Sequence, residues 1–335
     1  MSKTLIHLPN WLGDCIMAMP AVRALLRSAP PGSVVGLCKP SVRGIWGIAA
    51  SPLPLIEVPA TTSATLQAAR VLKVHQFERC ITLSNSWRSA FIPFSAGIPL
   101  RRGAPGHWRS LMLSEVVELG APERHLSRDY ATLLGVPHSE LVDDALLVLP
   151  EETKTQIQAI INRHSALSTG APLFGLLPGA ARGPSKRWPT SSYIALGKLL
   201  QTQLNGSVVV LGASNERELC REIAEGIGGN AHSFAGALSF YEGLAMIDAC
   251  RAVVSNDSGG MHMAWALGRP LVAIFGITDP EKTGPLGSRS RVLQESDRRS
   301  RVVPRDCPEA RAALARVTPE KVLDAVAALV AAEIS

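Results

Sequence analysis

No stretch of about 18 consecutive apolar residues occurs in this 335-residue chain, so no segment reads as a membrane-spanning helix. Its start, MSKTLIHLPNWLGDC, does not carry the long apolar core of a secretory signal, and a cytoplasmic location is expected. The six cysteines (Cys15, Cys38, Cys80, Cys220, Cys250 and Cys307) form no CxxC pair. That excludes the common zinc and dithiol motifs and points to small core residues in a reducing compartment. A Walker A loop is missing too: in PGAARGPSK the glycines are spaced Gly179-x3-Gly183, and Ser185 precedes Lys186 where a serine or threonine should follow it. The segment EGIGGN follows a helical pattern rather than a strand, which excludes a dinucleotide fingerprint. There is no HExxH and no GxSxG, and Ser258 and His262 lie one helical turn apart beside Asp257, so a hydrolytic triad is not expected. Basic residues are spread out instead of clustering with aromatics, so nucleic acid is not an expected partner.

What is present is an ordinary globular composition, 46% apolar and 19% charged, with a net charge of +6. The positive excess favours anionic partners in general, among them nucleotides, phosphorylated glycans and anionic membrane surface. The length suggests two domains. Short apolar runs read as strands: TLIHL, SVVGLCK, LIEV and CITLSN in the first half, PLFGLLPG, GSVVVLGAS, AVVSNDSG and PLVAIFGI in the second. Helical patterns lie between them, including DCIMAMPAVRALLRSA, SSYIALGKLLQTQL and NERELCREIAEGI. Continuous apolar strands with helical crossovers imply an α/β fold with parallel sheets. The alternation weakens over residues 97–145, and a new helix begins near 151, which places a junction at Pro150 and domains at 1–150 and 151–335. The last helix, TPEKVLDAVAALVAAEI, opens with Thr318 as N-cap and Pro319 at its first position, and is a candidate to pack back on the first domain. No internal repeat is visible.

Three loops follow a strand and open a helix, the place where α/β proteins bind anions. In HLPNWLGDC, Gly13 permits close backbone approach and Asp14 sits where the helix begins, either as a first-turn acid or as a general base. In LLPGAARGPSKRWP, Gly179 lets backbone approach a ligand and Lys186 and Arg187 supply charge, while Trp188 and Pro189 are expected to pack the loop and start the helix. In SNDSGGMH, residues Asp257, Ser258, Gly259 and Gly260 precede a helix carrying His262, which is either a packed histidine or a ligand donor. Amides at such a glycine-rich helix start suit a diphosphate. The second and third loops together suit a dianionic leaving group.

PNWLGDCIMAMPAVRAL, PGAARGPSKRWP and NDSGGMHMAWALGRPLVAIFG, in this order, resemble the ADP-heptose–lipopolysaccharide heptosyltransferases of glycosyltransferase family 9, with the first two segments closest to the type II branch. The resemblance implies a GT-B fold: two Rossmann-like parallel-sheet domains facing across a cleft, an acceptor-binding domain with the catalytic base and a nucleotide-sugar domain. It implies inverting transfer of heptose from ADP-heptose to the heptosyl-Kdo2-lipid A inner core, no essential metal or cofactor, and peripheral contact with the cytoplasmic face of the inner membrane. It assigns Asp14 as catalytic base and Lys186 as the group that neutralises departing phosphates. Asp257 would contact the donor heptose, and Ser258, Gly259 and Gly260 would bind diphosphate with His262 as a nearby donor. Glu216 would hold the ribose hydroxyls, with Glu218 the other choice, and Pro178 and Gly179 would form the floor under the nucleotide. Arg88, Arg101, Arg102, Arg109 and Arg124 are candidate acceptor contacts. Two departures stand out. A cysteine cluster of many type II members is reduced to Cys307, and the doubled glycine Gly259-Gly260 is expected to loosen the diphosphate turn. A family member with another acceptor or donor, a non-catalytic nucleotide-sugar binder and an epimerase on the same scaffold remain as alternatives.

Overall fold

The computed structural model describes residues 3–58, 61–106, 108–120, 124–141, 145–164, 167, 170–300 and 302–332, those at 62–64 without their side chains. The chain divides into two compact units, Met1–Leu147 and Val148–Ser335, a boundary three residues before Pro150.

The first unit runs β1 (Thr4–His7), α1 (Leu12–Ser28), β2 (Val34–Cys38), α2 (Pro40–Gly47), β3 (Leu55–Glu57), α3 (Thr62–Val74), β4 (Arg79–Thr82), α4 (Trp87–Ser95), β5 (Leu100–Gly103), β6 (Glu115–Val116) and α5 (Leu126–Leu134). Its strands form one parallel six-stranded sheet in the order β3-β2-β1-β4-β5-β6. Buried Leu5, Leu37, Cys80 and Ile92 share a core cluster with Leu72 of α3. The stretch where the sequence loses its alternation holds β5, β6 and α5. Here arginine replaces apolar residues because the side chains serve the backbone. Arg101 Nε donates to Met112 O at 2.6 Å, and Arg102 donates to Leu133 O at 2.7 Å and Thr132 O at 3.0 Å.

The second unit runs α6 (Glu151–Arg163), β7 (Leu173–Leu177), α7 (Thr190–Gln203), β8 (Ser207–Val210), α8 (Arg217–Ile227), β9 (Ala231–Ser233), α9 (Phe240–Ala249), β10 (Ala252–Asn256), α10 (Gly259–Ala266), β11 (Leu271–Phe275), α11 (Pro280–Thr283), β12 (Ser290–Gln294), α12 (Pro308–Ala315) and α13 (Pro319–Ala332). Its sheet is also parallel and six-stranded, ordered β12-β11-β10-β7-β8-β9. Every residue of β7, β8, β10 and β11 is buried, as continuous apolar runs require. Thr318 Oγ1 accepts from Lys321 N at 3.4 Å at the start of α13. The apolar face of that helix, Val322, Leu323, Val326 and Leu329, is taken up within the second unit's own core cluster.

Counted from their own first strands, both sheets have the order 3-2-1-4-5-6. No sequence repeat betrays this. In each unit the order reverses between the first and fourth strands, β1/β4 and β7/β10, and ligands of such sheets bind beyond the carboxyl ends at that reversal. Among the described residues, no helix is long and apolar enough to cross a membrane.

Candidate active site

In the second unit the reversal is held by one buried amide. Asn256, the last residue of β10, is fully buried. Its Nδ2 donates to Pro178 O at 2.7 Å, at the end of the strand-β7 segment. Its Oδ1 accepts from Trp188 N at 3.0 Å and from Tyr193 Oη at 3.1 Å. Three chain segments thus meet on one side chain, and a buried amide with these partners satisfied fixes the loops around it. Trp188 is buried and donates through Nε1 to Val317 O at 2.9 Å, and Pro189 is the N-cap of α7, the packing roles expected of both.

This frame brings Lys186 and the SNDSGG turn together. Lys186 lies in a short 3-10 turn, Pro184–Lys186, and its Nζ donates to Asp257 Oδ2. The pair is well shielded, with side chains 14% and 6% exposed. Thr278 Oγ1 donates to the same oxygen at 2.7 Å. Asp257 thus anchors and orients the lysine in this structure. Next to it Ser258 is the N-cap of α10 with an extended backbone, and its side chain makes no capping bond. The first-turn amides of α10 are thus left to other acceptors, at the positive end of the helix dipole. His262, in that helix, is buried 6.2 Å from the Trp265 ring. A Cβ on Gly260 would stand 2.5 Å from Leu177 Cδ2, so the second glycine is what lets α10 approach β7.

Glu216 and Glu218 separate cleanly. A Cβ on Gly179 would fall 2.2 Å from the Glu216 carboxylate oxygens, so this acid lies directly over the loop that follows β7. Glu216 Oε2 accepts from Ala213 N at 3.0 Å. Glu218 is 80% exposed and paired with Arg221 at 2.7 Å, away from that loop. Arg187 is half-buried and close enough to Cys220 for its charge to oppose the upward push that burial gives that thiol. Pro178 contributes its carbonyl to Asn256.

In the first unit, Gly13 and Asp14 lie in the first turn of α1, and Asp14 is half-buried. Its charge reaches Tyr130 of α5, whose phenol is raised well above its ordinary range, first by burial and then by Asp14. The fold holds Arg109, Arg101, Arg102 and Arg124 among the candidate acceptor arginines. Arg109 is fully buried and donates to Ser84 O and Asn85 Oδ1 at 2.8 Å each and to Thr82 Oγ1. Arg101 and Arg102 serve carbonyls, and Arg124 pairs with Asp129 at 3.0 Å. Arg88 lines a pocket. Asn256, Thr278 and Tyr193 were not foreseen. The signal for Asn256 was an amide closing an otherwise apolar strand, and Thr278 follows β11 on the same sheet edge. Among the described residues, no three histidine, cysteine or acidic side chains form a metal-binding group.

The sequence matches glycosyltransferase family 9 (heptosyltransferase) over residues 65–312. Lipopolysaccharide heptosyltransferase 2 of Escherichia coli K12 is 30% identical over 347 aligned residues, covering 99% of each chain. The solved E. coli ADP-heptose lps heptosyltransferase II aligns with 28% identity over 99% of this chain and 100% of that one, at a TM-score of 0.82. A family 9 glycosyl transferase from Veillonella parvula, 20% identical and covering 98% of this chain and 97% of that one, shares the fold at a TM-score of 0.85. With its two parallel six-stranded sheets, the chain has the expected GT-B fold and belongs to glycosyltransferase family 9, the heptosyltransferases.

Proposed function

We propose that the protein is an inverting transferase that moves L-glycero-D-manno-heptose from ADP-heptose to the heptosyl-Kdo2-lipid A inner core of lipopolysaccharide. The observation that carries the reading is the second-unit crevice: a lysine held by Asp257, whose carboxylate Thr278 holds in turn, beside an uncapped helix start. In the reaction an acceptor hydroxyl attacks the anomeric carbon, the bond from that carbon to the diphosphate oxygen breaks, and ADP leaves with the electron pair. Lys186, the Ser258 hydroxyl and the α10 amides take up the charge that develops on the diphosphate. Glu216 takes the ribose hydroxyls over Gly179, and no metal or cofactor is required. Asp14 accepts the hydroxyl proton. A carboxylate in the first turn of a helix has its charged form favoured, so its effect rests on placement rather than on basicity. The lipid part of the acceptor implies peripheral contact with the cytoplasmic face of the inner membrane. In the first unit, Trp108 and Leu111, 85% and 83% exposed, are side chains that a lipid surface would take.

The test is product analysis by mass spectrometry with ADP-heptose and either heptosyl-Kdo2-lipid A or Kdo2-lipid A. Heptose on the first acceptor alone is the expected result; heptose on the second alone assigns the earlier transfer instead. Asp14→Ala should lower turnover by about 100-fold or more while ADP binding persists. Loss of ADP binding in that variant, or equal turnover, would remove Asp14 from the role of base.

A further inference from the structure

Lys186 serves a diphosphate only if its ammonium group stands in one place, and its four-carbon stem is flexible. One of its three donors goes to Asp257 Oδ2, and among the described residues no second acceptor takes the other two. The lysine is therefore only as well placed as the Asp257 carboxylate. The torsion that orients a carboxylate is broad and two-fold, so an aspartate by itself presents either oxygen over a range of angles. Thr278 removes that freedom. It is 8% exposed, and its Oγ1 donates at 2.7 Å to the same Oδ2 that the lysine uses.

Thr278 is held in turn from the neighbouring strand. Gln294 ends β12 and pairs with Phe275, the last residue of β11. Its side chain reaches past the end of β11, where Nε2 donates to Gly276 O at 2.7 Å and to Thr278 O at 2.8 Å. Two carbonyls at one end of the amide identify that end as the nitrogen, since a carbonyl only accepts. Between them, Ile277 O accepts from Ser300 N at 2.7 Å. All three carbonyls of the Gly276–Thr278 turn are thus tied to β12 or to the chain that follows it. An apolar side chain of the same length at position 294 would release two of them.

We infer that Thr278 and Gln294 are positioning residues of the transfer: Gln294 clamps the turn after β11, the turn aims the Thr278 hydroxyl, and the hydroxyl holds Asp257 in the orientation that presents Lys186 to the terminal phosphate of the diphosphate. The inference rests on the transferase reading above and extends its machinery to the loop after β11 and the end of β12. Both residues act on the rate through the lysine, because a donor already in place needs no rearrangement as charge develops on the leaving group.

The test uses the full-length protein with ADP-heptose and heptosyl-Kdo2-lipid A. Thr278→Val, which keeps the branched shape and removes the donor, should lower kcat about tenfold with the acceptor KM within about twofold. Thr278→Ser should recover most of the loss. Gln294→Met should lower kcat about fivefold, and the double variant should be no slower than Thr278→Val alone, because the two residues lie on one chain of contacts. ADP and AMP are titrated calorimetrically in parallel. Thr278→Val should weaken ADP binding about fivefold and AMP binding less than about twofold, and in a Lys186→Met background it should weaken neither. A merely structural role would weaken both nucleotides with or without the lysine. Unchanged kcat in Thr278→Val, or losses that multiply in the double variant, overturns the inference while the transferase reading stands. Should the wild type transfer nothing, the titrations decide. A loss confined to ADP and absent without Lys186 then upholds the clamp without the transferase reading; equal affinity, an equal loss for both nucleotides, or no binding to the wild type overturns it.

Discussion

The two units use one strand order and finish its crevice in opposite ways. In the second, Asn256 ties three segments together in the dry interior, and the helix that follows β10 starts uncapped. In the first, the helix that follows β4 is capped by its own Ser86, whose side chain accepts from Ser89 N at 3.2 Å. Its two crevice loops are joined by a half-buried bond, Asn10 Nδ2 to Ser84 Oγ at 2.9 Å. The fixed cation of the first unit, Arg109, is fully buried on Ser84, Asn85 and Thr82, whereas the second unit locks Lys186 against Asp257 at the crevice itself. A half that must stabilise charge appearing during a reaction gains from preorganised donors.

This contrast can be broken by mutation. The largest effect is expected from Arg109→Ala, which takes away the donors to Asn85 Oδ1 and Thr82 Oγ1 and one of the two donors to the Ser84 carbonyl, and leaves a cavity. It should destabilise the first unit by about 4 kcal/mol, read as earlier hydrogen exchange of β4 and α4 with the second unit unchanged. Equal loosening of both units would show that the arginine is not a local support.

The buried histidine comes next. His7 has a folded pKa of about 4 against an unfolded value of 6.5, so the unfolded chain binds the extra proton between those limits. Stability is therefore complete above pH 6.5 and declines as pH falls toward 4, by about 3 kcal/mol in all. The measurement is urea unfolding of the first unit across that range, and His7→Leu should flatten the slope. A third comparison sets Asn256→Ala, expected to cost about 2–3 kcal/mol and to weaken ADP binding, against Asn10→Ala, expected to cost under about 1 kcal/mol. Similar costs at both positions would erase the difference between a locked and an adaptable crevice. The smallest effect is chemical. Burial raises the thiols of Cys38 to about 11 and of Cys80 and Cys220 to about 12, while Cys307 is half-exposed. One equivalent of thiol reagent should react quickly with the native protein and the other five groups only on unfolding.

Much of this was legible because the central strands are unbroken apolar runs, and TLIH, LFGLL and LVAIF announce themselves. The edge of the first sheet was not legible. In LRRG the arginines obscure a strand, since their long side chains reach carbonyls that no local pattern reveals. Asp14, Lys186, Gly179 and the SNDSGG turn could be picked out because loops after strands have few reasons to combine glycine with charge. What sequence could not supply was pairing. That Asp257 holds Lys186, that Thr278 shares the same oxygen, and that Glu216 rather than Glu218 reaches Gly179 all depend on loops far apart in the chain.

The crowding at Gly179 constrains how this protein can change over generations. With the Glu216 carboxylate where a methyl group would have to go, a side chain at 179 requires that carboxylate to swing away or to be shortened. A lineage that enlarged residue 179 would carry a displaced or shortened acid at 216. The shape of the loop after β7 is thus set jointly by two positions far apart in the chain.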